Sequence, residues 1–257
     1  MYTWNQVITN KIYMSDFKLP TEQVELPSKG LLYPESNLLS SGTVEIKYMT
    51  AKEEDILTNQ SYIKKGIVLD KLLQSLIIDK KINYKDIIIG DKNALLIASR
   101  ILGYGSLYEF EYNGVKESVE LSTLENKPFD ESYITKGVNS FDYKLPKTEV
   151  NISFKILNGK DELDIDRELE GLKKIDKDAS PEMSTRLKYI ITAIEGNPDK
   201  KSIREFVDNF LLAQDSRALR NYIKLVQPDV DLTFFPDGST DDATLPIGLN
   251  FFWPDAK

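Results

Sequence analysis

Apolar positions alternate with period two in several short stretches and recur near period 3.6 in longer ones, and these rhythms set out the elements. Residues 44–49 place Val44, Ile46 and Tyr48 on one face of a strand. Thr50 stands where a helix would begin, with Glu53 three residues on as the reciprocal partner of a capping box. Glu53, Glu54 and Asp55 suit the positive end of that helix, which is expected to run to about residue 59. Leu69, Leu72, Leu73, Leu76 and Ile77 trace one apolar face of a second helix. A third, from about Asp91, carries Ala94, Leu95, Ile97, Ala98, Ile101 and Leu102, a stripe broad enough for the centre of a core. Gly103 and Gly105 are expected to stop it. Residues 108–119 read as a β-hairpin. Tyr108, Phe110 and Tyr112 alternate on its first strand, and Asn113 and Gly114 supply the two positive-φ residues of a type I′ turn. Val115 and Val119 then fall opposite Tyr112 and Tyr108.

The flanking stretches are read in the same way. Residues 24–34 look like two short extended segments joined near 28–30. The polar stretch from 122 to 145, with Pro128, Gly137 and then Pro146, reads as a long connection. Residues 150–156 alternate strictly, as a strand. Asn158 and Gly159 form a turn, a charged helix runs from Asp161 to about Ile175, and Lys173 to Ser180 reads as a polar, mobile loop. Helices are expected at about 182–194, 202–212 and 215–226, with Ser202 and Asp215 as N-caps and Pro228 ending the last. Two aromatic segments, 231–236 and 247–254, flank an acidic turn and suggest a C-terminal hairpin or a docked tail. The fold class is α+β: an N-terminal arm over 1–20, a mixed domain with the hairpin over 21–125, a linker over 126–145, and a mainly helical mixed domain with an aromatic tail over 146–257.

Composition narrows the function classes. Hydrophobic residues are 41% and aromatics 10%, enough to build cores rather than a disordered chain. Lys+Arg is 33 and Asp+Glu is 41, so the net charge is 33 − 41 = −8. That balance argues against nucleic-acid binding, which needs a basic face to displace counterions from phosphates. The chain has no cysteine and no histidine, which excludes disulfides, a thiol nucleophile and a Ser-His-Asp triad, and removes the commonest metal ligands. Residues 1–20 are interrupted by Lys11, Asp16 and Lys18, so neither a signal peptide nor a spanning helix is expected there. No apolar run approaches the ~20 residues a bilayer requires, and no membrane partner is expected.

Candidate chemistry is sparse. Asp161, Asp164 and Asp166 offer oxygen ligands, but no glycine turns a loop inside that cluster, so it reads as the acidic start of a helix. Residues 237–242 read as an acidic surface turn. Gly103 and Gly105 end a helix, where phosphate-binding loops begin one. No metal and no cofactor is expected. Phe251, Phe252 and Trp253 are the leading interaction candidates, because three aromatics near a terminus are costly to leave in water. They either close this chain's own core or dock on a partner. Tyr108, Phe110 and Tyr112 of the hairpin, with Arg217 and Arg220, complete the candidate protein-contact residues. The two arginines could bridge a partner's carboxylates.

Several stretches in a fixed order then carry a resemblance. They are Leu-Pro-Ser-Lys-Gly at 26–30 with Tyr33 and Pro34, Tyr-Met-Thr-Ala-Lys-Glu-Glu-Asp-Ile-Leu at 48–57, and Leu-Asp-Lys-Leu-Leu at 69–73. Ile-Gly-Asp-Lys-Asn-Ala at 89–94 runs on to Arg-Ile-Leu-Gly-Tyr-Gly at 100–105. The second half adds Gly-Lys-Asp-Glu at 159–162, Asp-Ser-Arg-Ala-Leu-Arg at 215–220 and Phe-Phe-Trp-Pro-Asp at 251–255. In this set the chain resembles the baseplate hub and hub-assembly proteins of T4-like contractile-tailed phages. Relatives often carry a small cysteine cluster of the zinc-ribbon kind near the hairpin. Here Asn113 and Gly114 close that hairpin with no cysteine present. The resemblance implies a late, non-enzymatic protein whose partners are other hub and tail proteins, with a second copy of itself as a further option. It would act in the host cytoplasm during assembly and then in the virion tail baseplate. A transient assembly chaperone and a tail-associated cell-wall hydrolase are the competing readings.

Overall fold

The computed structural model describes residues 19–175 and 181–252. The arm read over 1–20 lies almost wholly outside these residues, as do the end of the loop read over 173–180 and Trp253. The fold is α+β. Strand β1 (Thr21–Glu25) pairs antiparallel with β2 (Thr43–Lys47), Val24 opposite Val44. The chain between them folds back tightly: Leu26 N–H reaches Gly42 O at 2.9 Å. Gly30 and Gly42 have φ of 76° and 77°, and a Cβ on Gly30 would sit 2.5 Å from Ser40 O, so only glycine fits this return.

Helices α1 (Ala51–Leu57), α2 (Gln60–Lys64), α3 (Val68–Leu76) and α4 (Ile89–Tyr104) follow. The capping box forms as the spacing predicts: Glu53 accepts from Thr50 N–H at 3.0 Å. In α4, Gly103 is not a stop. It lies inside the helix with Met49 laid against it, and Gly105 at φ 85° ends the run. The hairpin is β3 (Leu107–Tyr112) and β4 (Val115–Glu120), with Tyr112 opposite Val115 and Tyr108 opposite Val119. Asn113 and Gly114, at φ 50° and 80°, give the expected turn.

The stretch read as a connection carries a strand of its own. β5 (Phe141–Lys144) forms the edge of a sheet in the order β5-β6-β7, with β6 (Asn151–Phe154) in the centre and β7 (Ile191–Ile194) beyond it. The helix expected over 182–194 is therefore two elements: α6 (Glu182–Ile190) ends, and the next four residues turn into β7. Ile190, Ile191 and Thr192 are β-branched and prefer the strand once β6 offers hydrogen bonds. Helix α5 (Gly159–Ile175) starts two residues before Asp161, capped by Asn158, which accepts from the N–H groups of Lys160 and Asp161. Helix α7 (Lys200–Asn209) is capped by Asp199 rather than Ser202, with Ser202 N–H donating to it at 2.8 Å. Helix α8 (Ala213–Val226) begins before Asp215, whose carboxylate turns away to bind another loop. A two-residue pairing of β8 (Thr233–Phe234) with β9 (Ala243–Thr244) makes the C-terminal hairpin.

One buried apolar cluster takes in residues from Leu26 to Phe252. The helical second half meets α4 where Ile89 N–H reaches Leu157 O at 3.2 Å and Gly159 N–H reaches Ile87 O at 3.0 Å. After α8 the chain returns to the first half along residues 125–127, through Lys127 N–H to Asp229 O at 2.8 Å and Asp231 N–H to Glu125 O at 2.7 Å. That return carries the aromatic C-terminus onto the β3–β4 hairpin.

Candidate protein-contact surfaces

The hairpin aromatics and the C-terminal aromatics form one seam. Tyr108 stacks on Phe110 with ring centroids 4.9 Å apart and meets Phe251 edge-on at 4.8 Å. Phe234 stands edge-on to Phe110 at 5.1 Å and to Tyr112 at 5.4 Å. Phe251 and Phe252 are both 0% exposed and Tyr108 is 2% exposed. Tyr108, Phe251 and Phe252 close the chain's own core. Of the two readings of Phe251 and Phe252, their burial supports the first, closure of the chain's own core, because a two-stranded hairpin cannot bury an aromatic face by itself and the returning tail covers it. Phe110 and Tyr112 are only partly buried.

Arg100 locks the seam. The side chain is buried on α4 and bonds three main-chain carbonyls: Nε to Phe251 O at 2.9 Å, Nη1 to Gly105 O at 2.7 Å and Nη2 to Leu107 O at 3.2 Å. Burial pulls its pKa below the ordinary arginine value. Tyr104 and Tyr108 place their rings 5.4 Å and 6.0 Å from the guanidinium. Sequence reading did not single out Arg100, since the signal, a charged residue inside a broad apolar helix stripe, points equally to an exposed edge.

Three buried carboxylates tie separate segments. Asp91, in the first turn of α4, accepts from Ser28 N–H at 2.9 Å, Ser28 Oγ at 2.6 Å and Tyr33 Oη at 2.6 Å. Burial pushes its carboxyl above the usual range, against the lowering effect of those bonds. Glu53 is 0% exposed. Burial alone would raise its carboxyl, but Lys47 Nζ at 2.7 Å, Ser75 Oγ at 2.6 Å and Thr50 outweigh burial and hold it at about 2. Asp215 is likewise buried and accepts from Lys147 N–H, Thr148 N–H and Thr148 Oγ1 at 2.7, 3.1 and 2.8 Å.

The remaining candidates lie on the surface. Arg217 is exposed on α8, and Arg220 is half-buried with Nε turned to Ser216 O at 3.3 Å. The acidic cluster at the start of α5 does not converge: Asp161 pairs with Lys155 at 2.7 Å and Asp164 with Arg167 at 3.0 Å. Among the described residues no group of three or more carboxylates is placed to hold a metal ion, and no helix is long and apolar enough to cross a membrane. A groove of about 420 Å³ over β5 and β6 is lined by Asp142, Tyr143, Lys144 and Asn151. Its polar groups are already bonded, Ser153 Oγ to Asp142 at 2.7 Å and Asn151 N–H to Glu195 at 2.6 Å.

No family model, no curated protein and no solved structure matches this chain. The functional reading therefore rests on the residues and on what they touch. The segments that carried the resemblance touch one another: residues 26–34 meet 89–94 through Asp91, residues 48–57 meet 100–105 through Met49 and Gly103, and residues 100–105 meet 251–252 through Arg100.

Proposed function

We propose that this chain is a component of the central baseplate hub of a T4-like contractile-tailed phage, acting through protein contacts and without catalysis. What carries the reading is the interlocking of the resembling segments. Asp91, Arg100 and Glu53 are fold-making residues, each satisfied by partners inside the chain. The resembling segments here serve the frame of the fold, and the functional reading rests on the resemblance they carry. The exposed apolar side chains fit the same reading: Phe210 is 60% exposed, Leu225 70% and Phe235 68%.

The direct test is an infection in which the gene for this chain is silenced by a nonsense mutation. The reading expects lysates without complete baseplates, with free heads and unattached sheath protein, and rescue when the chain is supplied in trans. Normal, infectious tails made without it would overturn the proposal.

A further inference from the structure

The outer face of α8 stands apart electrostatically. Its buried side is Asp215, Ser216, Leu219, Val226 and the partly buried Tyr222 and Ile223, and the opposite side carries Arg217, Arg220 and Lys224. These three cations stand at i, i+3 and i+7, a stripe about 10 Å long on one side of a helix. Arg217 with Arg220, and Arg220 with Lys224, are like-charged neighbours, a spacing that weakens a helix. The only carboxylate on α8 is Asp215, which is buried and committed to residues 147–148. Elsewhere the surface arginines are paired: Arg167 with Asp164 at 3.0 Å, Arg186 with Glu162 at 2.7 Å and Arg204 with Glu168 at 2.6 Å. Among the described residues Arg217, Arg220 and Lys224 have no carboxylate at ion-pair distance.

The complement lies on the same molecule. Asp166 and Glu170, at i and i+4 on α5, are exposed and have no cation at ion-pair distance among the described residues. Partial desolvation and the neighbouring Glu162, Asp70 and Glu170 raise the Asp166 carboxyl, while Arg186 opposes them. Lys173 and Lys174 fall beyond this pair, at the negative end of α5, where they offset the helix dipole. The chain as a whole carries a net charge of −8.

We propose that the Arg217/Arg220/Lys224 face of α8 docks on the Asp166/Glu170 face of α5 in a second copy of this chain. The two patches differ, so the contact is heterologous and builds a closed ring or an open array rather than a two-fold dimer. This rests on the reading of the chain as a hub subunit and gives it a self-partner.

Light scattering and sedimentation of the full chain, at concentrations up to about 1 mM, test it. The wild type is expected to self-associate, about tenfold more weakly when ionic strength rises from about 0.05 M to about 0.5 M. The R217E/K224E variant and the D166K/E170K variant should each be monomeric while keeping wild-type circular dichroism. An equimolar mixture of the two should associate again, because each then offers the charge the other lacks. A wild type that stays monomeric, a variant that associates like the wild type, or a mixture that fails to associate would overturn the inference. A monomer that still enters tails would leave the hub proposal standing and give the α8 face to a different acidic partner.

Discussion

At the scale of single residues, Glu53 and Asp91, two of the deeply buried carboxylates, act with opposite sign. Glu53 sits at about 2 against an ordinary 4.5, so its stabilisation is complete above pH 4.5 and is lost as pH falls toward 2. That contribution is about 3 kcal/mol at most. Asp91 is raised above its ordinary 3.8, so ionising it costs stability above its raised value, and the cost vanishes below 3.8. Urea unfolding of Glu53→Gln between pH 7 and pH 2 should therefore show a flattened acid limb and a loss of about 2 kcal/mol at neutral pH. A variant that parallels the wild type through the acid range would contradict this account of Glu53. Two glycines give a second contrast. A Cβ at Gly90 would collide with the main-chain carbonyl of Pro228, whereas one at Gly103 would meet only the flexible end of Met49. Gly90→Ala should cost about 3 kcal/mol or more, and Gly103→Ala about 1 kcal/mol, in the same unfolding measurement.

At the scale of elements, the clearest sequence signals were local ones. The type I′ hairpin and the Thr50–Glu53 box were legible because both are settled within a few residues by backbone chemistry. β7 was missed because residues 191–194 continue a helical pattern, and only the hydrogen bonds of β6, almost forty positions earlier, decide for a strand. β5 was legible in principle, since Phe141, Tyr143 and Leu145 alternate, but the polar residues around it masked the period. The C-terminal segment was seen as a hairpin or docked tail, and it is both. Which of its two open roles it takes, core or docking surface, was not legible because Arg100 and the hairpin face that receive it lie about 140–150 positions away. Phe251→Ala should cost about 3–4 kcal/mol and raise hydrogen exchange across residues 107–112 together with 249–252. Exchange confined to 249–252 would show that the seam is not one cooperative unit.

At the scale of the whole molecule, the sequence could not show that residues 228–252 return to the first half, since nothing local encodes that contact. The consequence is a shared core with residues of both halves in it, braced on its second half by bidentate pairs of Arg186 with Glu162 and Arg204 with Glu168. Among the candidate contact residues, Tyr108, Phe251 and Phe252 face inward and Arg217 faces out. The central claim, that this chain belongs in a phage tail hub, is tested most directly by quantitative mass spectrometry of purified phage particles beside infected-cell lysate. The account predicts a fixed, low copy number per virion, retained when particles are stripped of their heads. Abundance in the lysate with absence from particles would contradict it and make the chain a transient assembly factor.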